Sequence, residues 1–384
     1  MTSTDELYDG REHSQVKHSI LRHYLERFSH IIGSRWDSIT YIDGFSGPWN
    51  VASDDLSDSS FAIALYELRK ARDTYQQQGR NLRLRCVFLE KDKQAFSQLK
   101  KYADGVRDVK ILVKNDSFEN SIKDVLRFSA EDKTGTFPFV FIDPCGTSGF
   151  AMDDIRPLIQ LRPCEVLINF MTEFSRRFIN TPITEEHFRR LYGTTAYLDK
   201  INGLHGQDRV DAMVDYYCER LRSEGQYQYT CPAIILHPDK ARTYYHLIYA
   251  TRHPKGVDAF KKAEKKAMDV QEAGRARFEK KKRESGGQLD LLFSDEPPPS
   301  KYYGELRQRY LDKATDFWLS QLQTNSKLAY DKAWEFGMAL PMVWESDLKD
   351  WIKSEDHSKI RIEGLSPPKR VPKFGKGHVL VRDE

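Results

Sequence analysis

Apolar residues fall into short, nearly continuous runs separated by stretches of helical period. Val16, Ile20, Leu21, Tyr24, Leu25, Phe28 and Ile32 stand three or four apart, which predicts a helix over residues 12–33 stopped by Gly33. A first strand follows: Ser38-Ile39-Thr40-Tyr41-Ile42 is β-branched and aromatic, and it runs into Asp43-Gly44-Phe45-Ser46-Gly47-Pro48. Four more strand-like runs come next with helical patterns between them: Leu84–Leu89, Val109–Val113, Phe137–Ile142 and Glu165–Ile168. They are almost wholly apolar, as parallel strands covered on both faces are. Ala233–Leu236 and Tyr245–Tyr249 flank a Pro-Asp turn and predict an antiparallel hairpin at one edge. The expected fold is α/β: a doubly wound, Rossmann-like sheet of seven strands.

The connections and the C-terminal third carry their own signals. The Asp- and Ser-rich loop over residues 50–58 is longer than α/β loops usually are, and Ser59 or Ser60 can cap a helix over 61–69. Residues 255–283 read as one long helix with eleven Lys/Arg against five Asp/Glu, either a solvated face or a basic surface. Ser285-Gly286-Gly287 breaks it, and a stretch with three consecutive prolines makes 294–300 a linker. Helices are then expected over 302–323 and 328–338, with Ser346 capping a short one over 347–353. Two alternating strands follow, Ile360–Ile362 and Val379–Val381. Helices followed by a two-stranded basic hairpin resemble a winged helix, used elsewhere both on nucleic acid and for protein docking. Three regions are therefore expected: 1–262 around the large sheet, a basic helix and Gly/Pro linker over 263–301, and a winged-helix-like domain over 302–384.

Composition narrows the class. The 384 residues are 39% hydrophobic and 30% charged with a net charge of +3, a balance that fits a globular protein and announces no polyanion partner by itself. The five cysteines include no CxxC pair, so no zinc site or disulfide framework is expected, and buried thiols suit a reducing, cytoplasmic compartment. The polar start predicts no signal peptide, and no apolar run reaches the ~20 residues that span a bilayer. No membrane partner and no metal are expected.

The candidate chemistry lies at strand ends. Asp43, Glu90, Asp116, Asp143 and Asn169 each stand where a predicted strand stops, and in an open α/β sheet those ends share the edge where ligands bind. Capping can explain one such carboxylate; four in consecutive strands, with a Gly-x-x-Gly turn after the first, point to a ligand. Glu90, after the second strand, suits the two hydroxyls of a ribose, and Asp116 an exocyclic amine such as that of adenine. No phosphate-binding GxxxxGK[ST] is present, and an acidic lining repels pyrophosphate. The nucleoside cofactor that fits is S-adenosylmethionine, whose ammonium Asp43 could pair with. Lys17 and His18 project towards that ligand or simply form the polar face of their helix.

These residues, in this order, resemble a known family. The organisation is similar to class I S-adenosylmethionine-dependent methyltransferases, and more narrowly to the three-Cys-motif partner (TcmP) proteins, a bacterial group with a methyltransferase-like domain. The resemblance rests on Lys17-His18, Tyr41 to Pro48, Phe88-Leu89-Glu90-Lys91-Asp92 and Phe141-Ile142-Asp143-Pro144-Cys145-Gly146. It continues through Leu167-Ile168-Asn169-Phe170 with Arg176-Arg177, and Tyr249 to His253. It implies cofactor contacts at Asp43, Gly44, Gly47 and the neighbouring Phe45, with Glu90 and Asp116, and a reaction site at Asp143-Pro144. Trp49 replaces a further glycine common in methyltransferases, and Cys145 stands where the family more often has an aromatic residue.

An Asp-Pro corner after the fourth strand suits transfer to nitrogen, since the carboxylate and a carbonyl accept from an NH₂ and aim its lone pair. Cys145 has three readings: a small residue filling the aromatic's place, a base-positioning group, or the thiolate nucleophile of a cytosine C5 methyltransferase. The expected function is methylation of an amino nitrogen of a nucleic-acid base. The alternative from another class is a cofactor-binding accessory subunit of a three-Cys-motif partner enzyme. From Lys359 to Arg382 seven Lys/Arg face one acid, including Lys369, Arg370, Lys373 and Lys376, a candidate phosphate-contacting surface. Finally, Gln288-Leu289-Asp290-Leu291-Leu292-Phe293 resembles the short motif that docks bacterial proteins on the sliding clamp, or else it staples the linker to the protein's own surface.

Overall fold

A computed structural model describes residues 8, 10–47, 51–53, 55–132, 135–144, 146–179, 181–285, 300–354, 360–365 and 371–382. Cys145, Pro48, Trp49, the Gln288–Phe293 motif, Lys369 and Arg370 therefore lie outside the described residues. The chain forms two compact units, Met1–Thr230 with Ile234–Gln271 and Cys231–Ala233 with Glu272–Glu384.

The first unit opens with α1 (Glu12–Gly33) and β1 (Ser38–Asp43), then α2 (Ser60–Gln77), β2 (Arg83–Leu89), α3 (Lys93–Gly105) and β3 (Lys110–Lys114). It continues through α4 (Phe118–Ala130), β4 (Phe137–Ile142), α5 (Met152–Ile159), β5 (Glu165–Phe170) and α6 (Thr172–Phe178). Next come α7 (Glu185–Tyr192), α8 (Tyr197–Ile201), α9 (Gly206–Gly225), β6 (Tyr229–Leu236), β7 (Thr243–Thr251) and α10 (Pro254–Ser285), the last of which belongs to this unit as far as Gln271. The seven strands run in the order β3-β2-β1-β4-β5-β7-β6, with β7 antiparallel to β5. This is the doubly wound, seven-stranded α/β sheet that the apolar runs predict, in the methyltransferase-like arrangement that the resemblance implies. β1, β4 and β5 are buried along their whole length, and the polar side chains that β1 and β5 carry, Thr40, Asp43, Glu165 and Asn169 among them, are buried with the apolar ones.

One helix runs further than its sequence pattern predicts, and another is anchored far along the chain. α2 is capped by Ser59, whose side chain accepts from the Ala62 N–H at 3.2 Å, and its apolar face continues through Ala71 and Tyr75, well past residue 69. α1 is tied to distant parts of the sheet. Tyr24 donates to Glu165, its hydroxyl oxygen lies 2.9 Å from that of Tyr249, and the Tyr245 hydroxyl donates to the His13 carbonyl at 2.8 Å. Burial pushes the Glu165 carboxyl up, so three hydroxyl-bearing neighbours, Tyr24, Thr251 and Tyr249, serve to hold it.

The second unit holds α11 (Lys301–Asn325), β8 (Lys327–Ala329), α12 (Tyr330–Ala339), α13 (Glu345–Lys353), β9 (Ile360–Glu363) and β10 (Val379–Arg382). Its sheet has three strands in the order β8-β10-β9, not the expected two. Residues 327–329, the last two of them read from sequence as the start of a helix, pair antiparallel with β10 because Ser326, at φ 55°, ends α11 and turns the chain into an extended run. Trp318 is buried at its centre and donates to the Ala333 carbonyl at 2.9 Å. α13 begins two residues earlier than a cap at Ser346 would start it. Its cap is the Trp344 backbone N–H, which the Asp347 carboxylate accepts at 2.8 Å. Among the described residues no helix is long and apolar enough to cross a membrane, and no group of three His, Cys, Asp or Glu could hold a metal ion. Cys86, Cys164, Cys218 and Cys231 are buried free thiols.

Candidate active site

The strand order reverses between β1 and β4, and the crevice such a reversal leaves opens at their C-terminal ends. The turn after β1 is fixed to both neighbouring strands: Gly44 N–H donates to the Phe141 carbonyl (3.0 Å) and Ser46 N–H to the Leu89 carbonyl (2.8 Å). The need for glycine at 44 comes from within the protein. A Cβ there would lie 2.8 Å from the Phe118 ring at the start of α4, and that ring also packs against Phe45 at 5.6 Å between centroids. Gly44→Ala is accordingly expected to displace Phe118 and to cost about 1–2 kcal/mol of stability, as small-to-large changes in packed sites do. Urea denaturation checks this; an unchanged midpoint would mean the ring moves freely.

Gly44, Phe45, Glu90, Asp116 and Pro144 all line one cleft, whose empty space is about 700 Å³ with its open mouth included. The sequence reading named those five; it missed Lys91, Phe118 and Glu119, which line the same cleft. A signal for Phe118 was present, an aromatic residue directly after Asp116-Ser117. Glu90 is buried; its Oε1 accepts from the Asp92 N–H at 2.7 Å, while its backbone carbonyl takes the Asn115 amide at 2.8 Å. Asp116 accepts from the Asn120 amide (3.1 Å) and the Ser117 N–H (2.8 Å), which hold its carboxyl below the usual range. Three carboxylates thus share the lining with one lysine, the acidic character that disfavours a phosphate-bearing ligand.

Asp43 does not line this cleft. Fully buried, it accepts from Ser60 Oγ at 2.7 Å, the Phe45 N–H at 3.1 Å and the Tyr41 hydroxyl at 3.3 Å. Burial pushes its carboxyl up to about 6, helped by the charge of Asp143 and opposed by the Ser60, Phe45 and Ser46 donors. Gly47 is also outside the cleft lining.

Asp143 sits one residue before Pro144, and the chain's own groups hold both of its carboxylate oxygens. Lys17 Nζ approaches Oδ2 at 2.5 Å and the Asn169 amide donates to Oδ1 at 2.7 Å. Lys17 thus meets the carboxylate of β4's end and is not among the cleft residues. Asn169, at the end of β5, leaves its own buried Oδ1 without a hydrogen-bond partner among the described residues. His18 pairs with the Tyr8 hydroxyl through Nδ1 at 2.9 Å, away from the cleft lining, and burial pushes it down to about 3, so it is neutral. His13 is likewise held down to about 4, by burial and then by the charges of Lys17 and His237. A cleft with hydrogen-bonding carboxylates and a rigid acceptor carboxylate beside it can hold a nucleoside ligand and orient a donor group next to it.

No family model and no curated protein matches the chain. Among solved structures it is similar to a Legionella pneumophila protein of the DUF519 family, at 10% identity and a TM-score of 0.37 over 66% of this chain and 92% of that one. It is also similar to a loganic acid methyltransferase with SAH, at 9% identity and a TM-score of 0.32 over 75% of this chain and 92% of the other. The fold is methyltransferase-like by its own strand order.

Proposed function

We propose that this chain is an S-adenosylmethionine-dependent methyltransferase of the TcmP-like kind, acting on an amino nitrogen of a nucleic-acid base. The observation that supports it is the gathering of Glu90, Asp116 and Pro144 in one cleft, with Asp143 held rigidly beside it. Glu90 takes the ribose hydroxyls, Asp116 with the Ser117 backbone takes the adenine edge, and Phe45 with Phe118 walls the base. Asp43 lies beneath and sets the charge of the methionine end. Bound there, S-adenosylmethionine supplies a methyl group on a positively charged sulfur. The residues that act on the acceptor belong to the chain: Asp143 and the Pro144 carbonyl hold an NH₂ with its lone pair turned to the cleft. Connectivity also supports a winged-helix reading of the second unit, helix–strand–helix–helix–strand–strand with sheet order β8-β10-β9, in which Lys373 and Lys376 lie between the last two strands.

Calorimetric titration with S-adenosylmethionine tests the cofactor. Glu90→Ala is expected to weaken binding by about 1.5–3 kcal/mol, the cost of losing hydrogen bonds to a charged group. Unchanged affinity in a folded variant would take Glu90 out of the site. One observation favours the accessory reading: Lys17 and Asn169 already occupy Asp143, where an amine must enter. Methyl transfer to total nucleic acid, assayed with and without a three-Cys-motif partner, separates the two. Cofactor binding without transfer in either assay means an accessory subunit.

A further inference from the structure

At the sheet edge where Asp143 stands, three arginines converge on one buried carboxylate. Glu173, on α6, is 6% exposed, and a single oxygen of its carboxylate, Oε1, meets three guanidinium groups. Arg177 Nε lies at 2.7 Å, Arg242 Nη1 at 2.9 Å and Arg176 Nη2 at 3.4 Å. Stapling α6 to the hairpin needs one arginine, and Arg242 supplies it. Arg176 and Arg177 remain 44% and 51% exposed, and each spends one of its five donors on Glu173. Asp239, on the hairpin loop before Arg242, is engaged by His237 at 2.5 Å.

The place of this cluster matters as much as its charge. α6 begins three residues after Asn169, the residue whose amide holds Asp143. Arg242 ends the His237–Arg242 loop and leads into β7, where His246 stands opposite Phe170 and bonds Thr172 Oγ1 at 2.6 Å. The arginines thus stand at the same sheet edge as the proposed acceptor carboxylate. Phe178, the last residue of α6, and Ile183, on the segment after it, are exposed apolar side chains, at 38% and 92%. A planar guanidinium matches a phosphate with two parallel hydrogen bonds, and an exposed aromatic ring gives an unpaired base a stacking surface.

We propose that Arg176 and Arg177, fixed by Glu173 and Arg242, form a phosphodiester-binding fork that grips the backbone of a single-stranded or flipped-out nucleic-acid acceptor beside Asp143. This rests on the methyltransferase reading for its purpose, though not for its test. Asp143's side chain is 15% exposed, so a base reaches it only when out of its stack, and the fork would hold the strand that presents it.

The test uses the full chain and fluorescence anisotropy on a short single-stranded oligonucleotide across a salt series. Arg176→Gln with Arg177→Gln is expected to weaken binding at least about tenfold and to flatten the salt slope by about 1.4, two single-strand phosphate contacts. Glu173→Gln removes the competing anion and is expected to tighten binding about threefold or more, a gain that misfolding cannot imitate. A double variant with wild-type affinity and slope overturns the proposal. So does a wild-type protein that binds no oligonucleotide, or one that binds polyglutamate as tightly with the same dependence on the two arginines. Calorimetry with S-adenosylmethionine, run on the same proteins, should show affinity unchanged in all variants. Absence of cofactor binding to wild type sinks the methyltransferase reading, whereas the fork stands or falls on the salt slope.

Discussion

Asp143→Asn is expected to lower methyl transfer by about 10²-fold or more while changing S-adenosylmethionine affinity by less than about threefold. An asparagine keeps the volume and one acceptor oxygen but turns a second acceptor into a donor. That donor would face Lys17, now without its counter-charge in a site where both side chains are about 15% exposed. The acceptor amine then meets an NH₂ group and a displaced lysine where it should meet a carboxylate. Single-turnover transfer at saturating cofactor, beside calorimetry on the same variant, is the measurement. Near-wild-type transfer would remove Asp143 from the reaction. A parallel loss of cofactor affinity would instead make it a structural support of the cleft.

Asp43→Asn should stabilise the protein at high pH and weaken cofactor binding. The buried carboxyl titrates near 6 in the folded chain against 3.8 when free, a difference worth about 3 kcal/mol. The folded state therefore keeps this proton at pH values where the unfolded chain has released it. The contribution is fully present below about pH 4, falls away as pH rises through about 6, and is absent above. Wild type should lose stability over that window and the variant should not. In thermal melts the variant's advantage is then largest near pH 8 and vanishes near pH 4. His18, His13 and His246 titrate the other way, burial having pushed them down to about 3, 4 and 4, but they are common to both proteins and cancel in the difference. A pH-independent difference would mean that Asp43 is not the group being titrated. Stability surrendered at one residue in exchange for binding is a familiar property of functional sites.

The elements and the seven-stranded sheet were legible because burial on both faces leaves no ambiguity: a run such as Phe139-Val140-Phe141-Ile142 has one stable home. β8 was not legible, since three residues with a single buried leucine carry too little pattern, and the positive φ of Ser326 leaves no mark in the sequence. In the site, strand-end positions located Glu90, Asp116 and Pro144, because topology alone carries strand ends to one edge. Partners were harder. Nothing in the spacing of Lys17 or Asn169 reveals that they meet at Asp143, as each arrives by a different element. Gly44 shows the same limit: its need for a missing Cβ was visible, but the Phe118 ring that imposes it was not.

The long reach of α1 bears on how the protein is made. Its contacts run to Asp143, Glu165 and Tyr245, which lie 126, 141 and 232 residues away along the chain. At roughly 5–20 residues per second of synthesis, the helix leaves the ribosome ten to some forty-five seconds before the last of these partners does. Through that interval Tyr24 lacks Tyr249 and the His13 carbonyl lacks Tyr245, so the inner face of α1 is only partly satisfied. The helix that completes the site is thus the first part of the chain to need a chaperone, and nascent polypeptides arrested before residue 245 should be held by one more tightly than those arrested after β7.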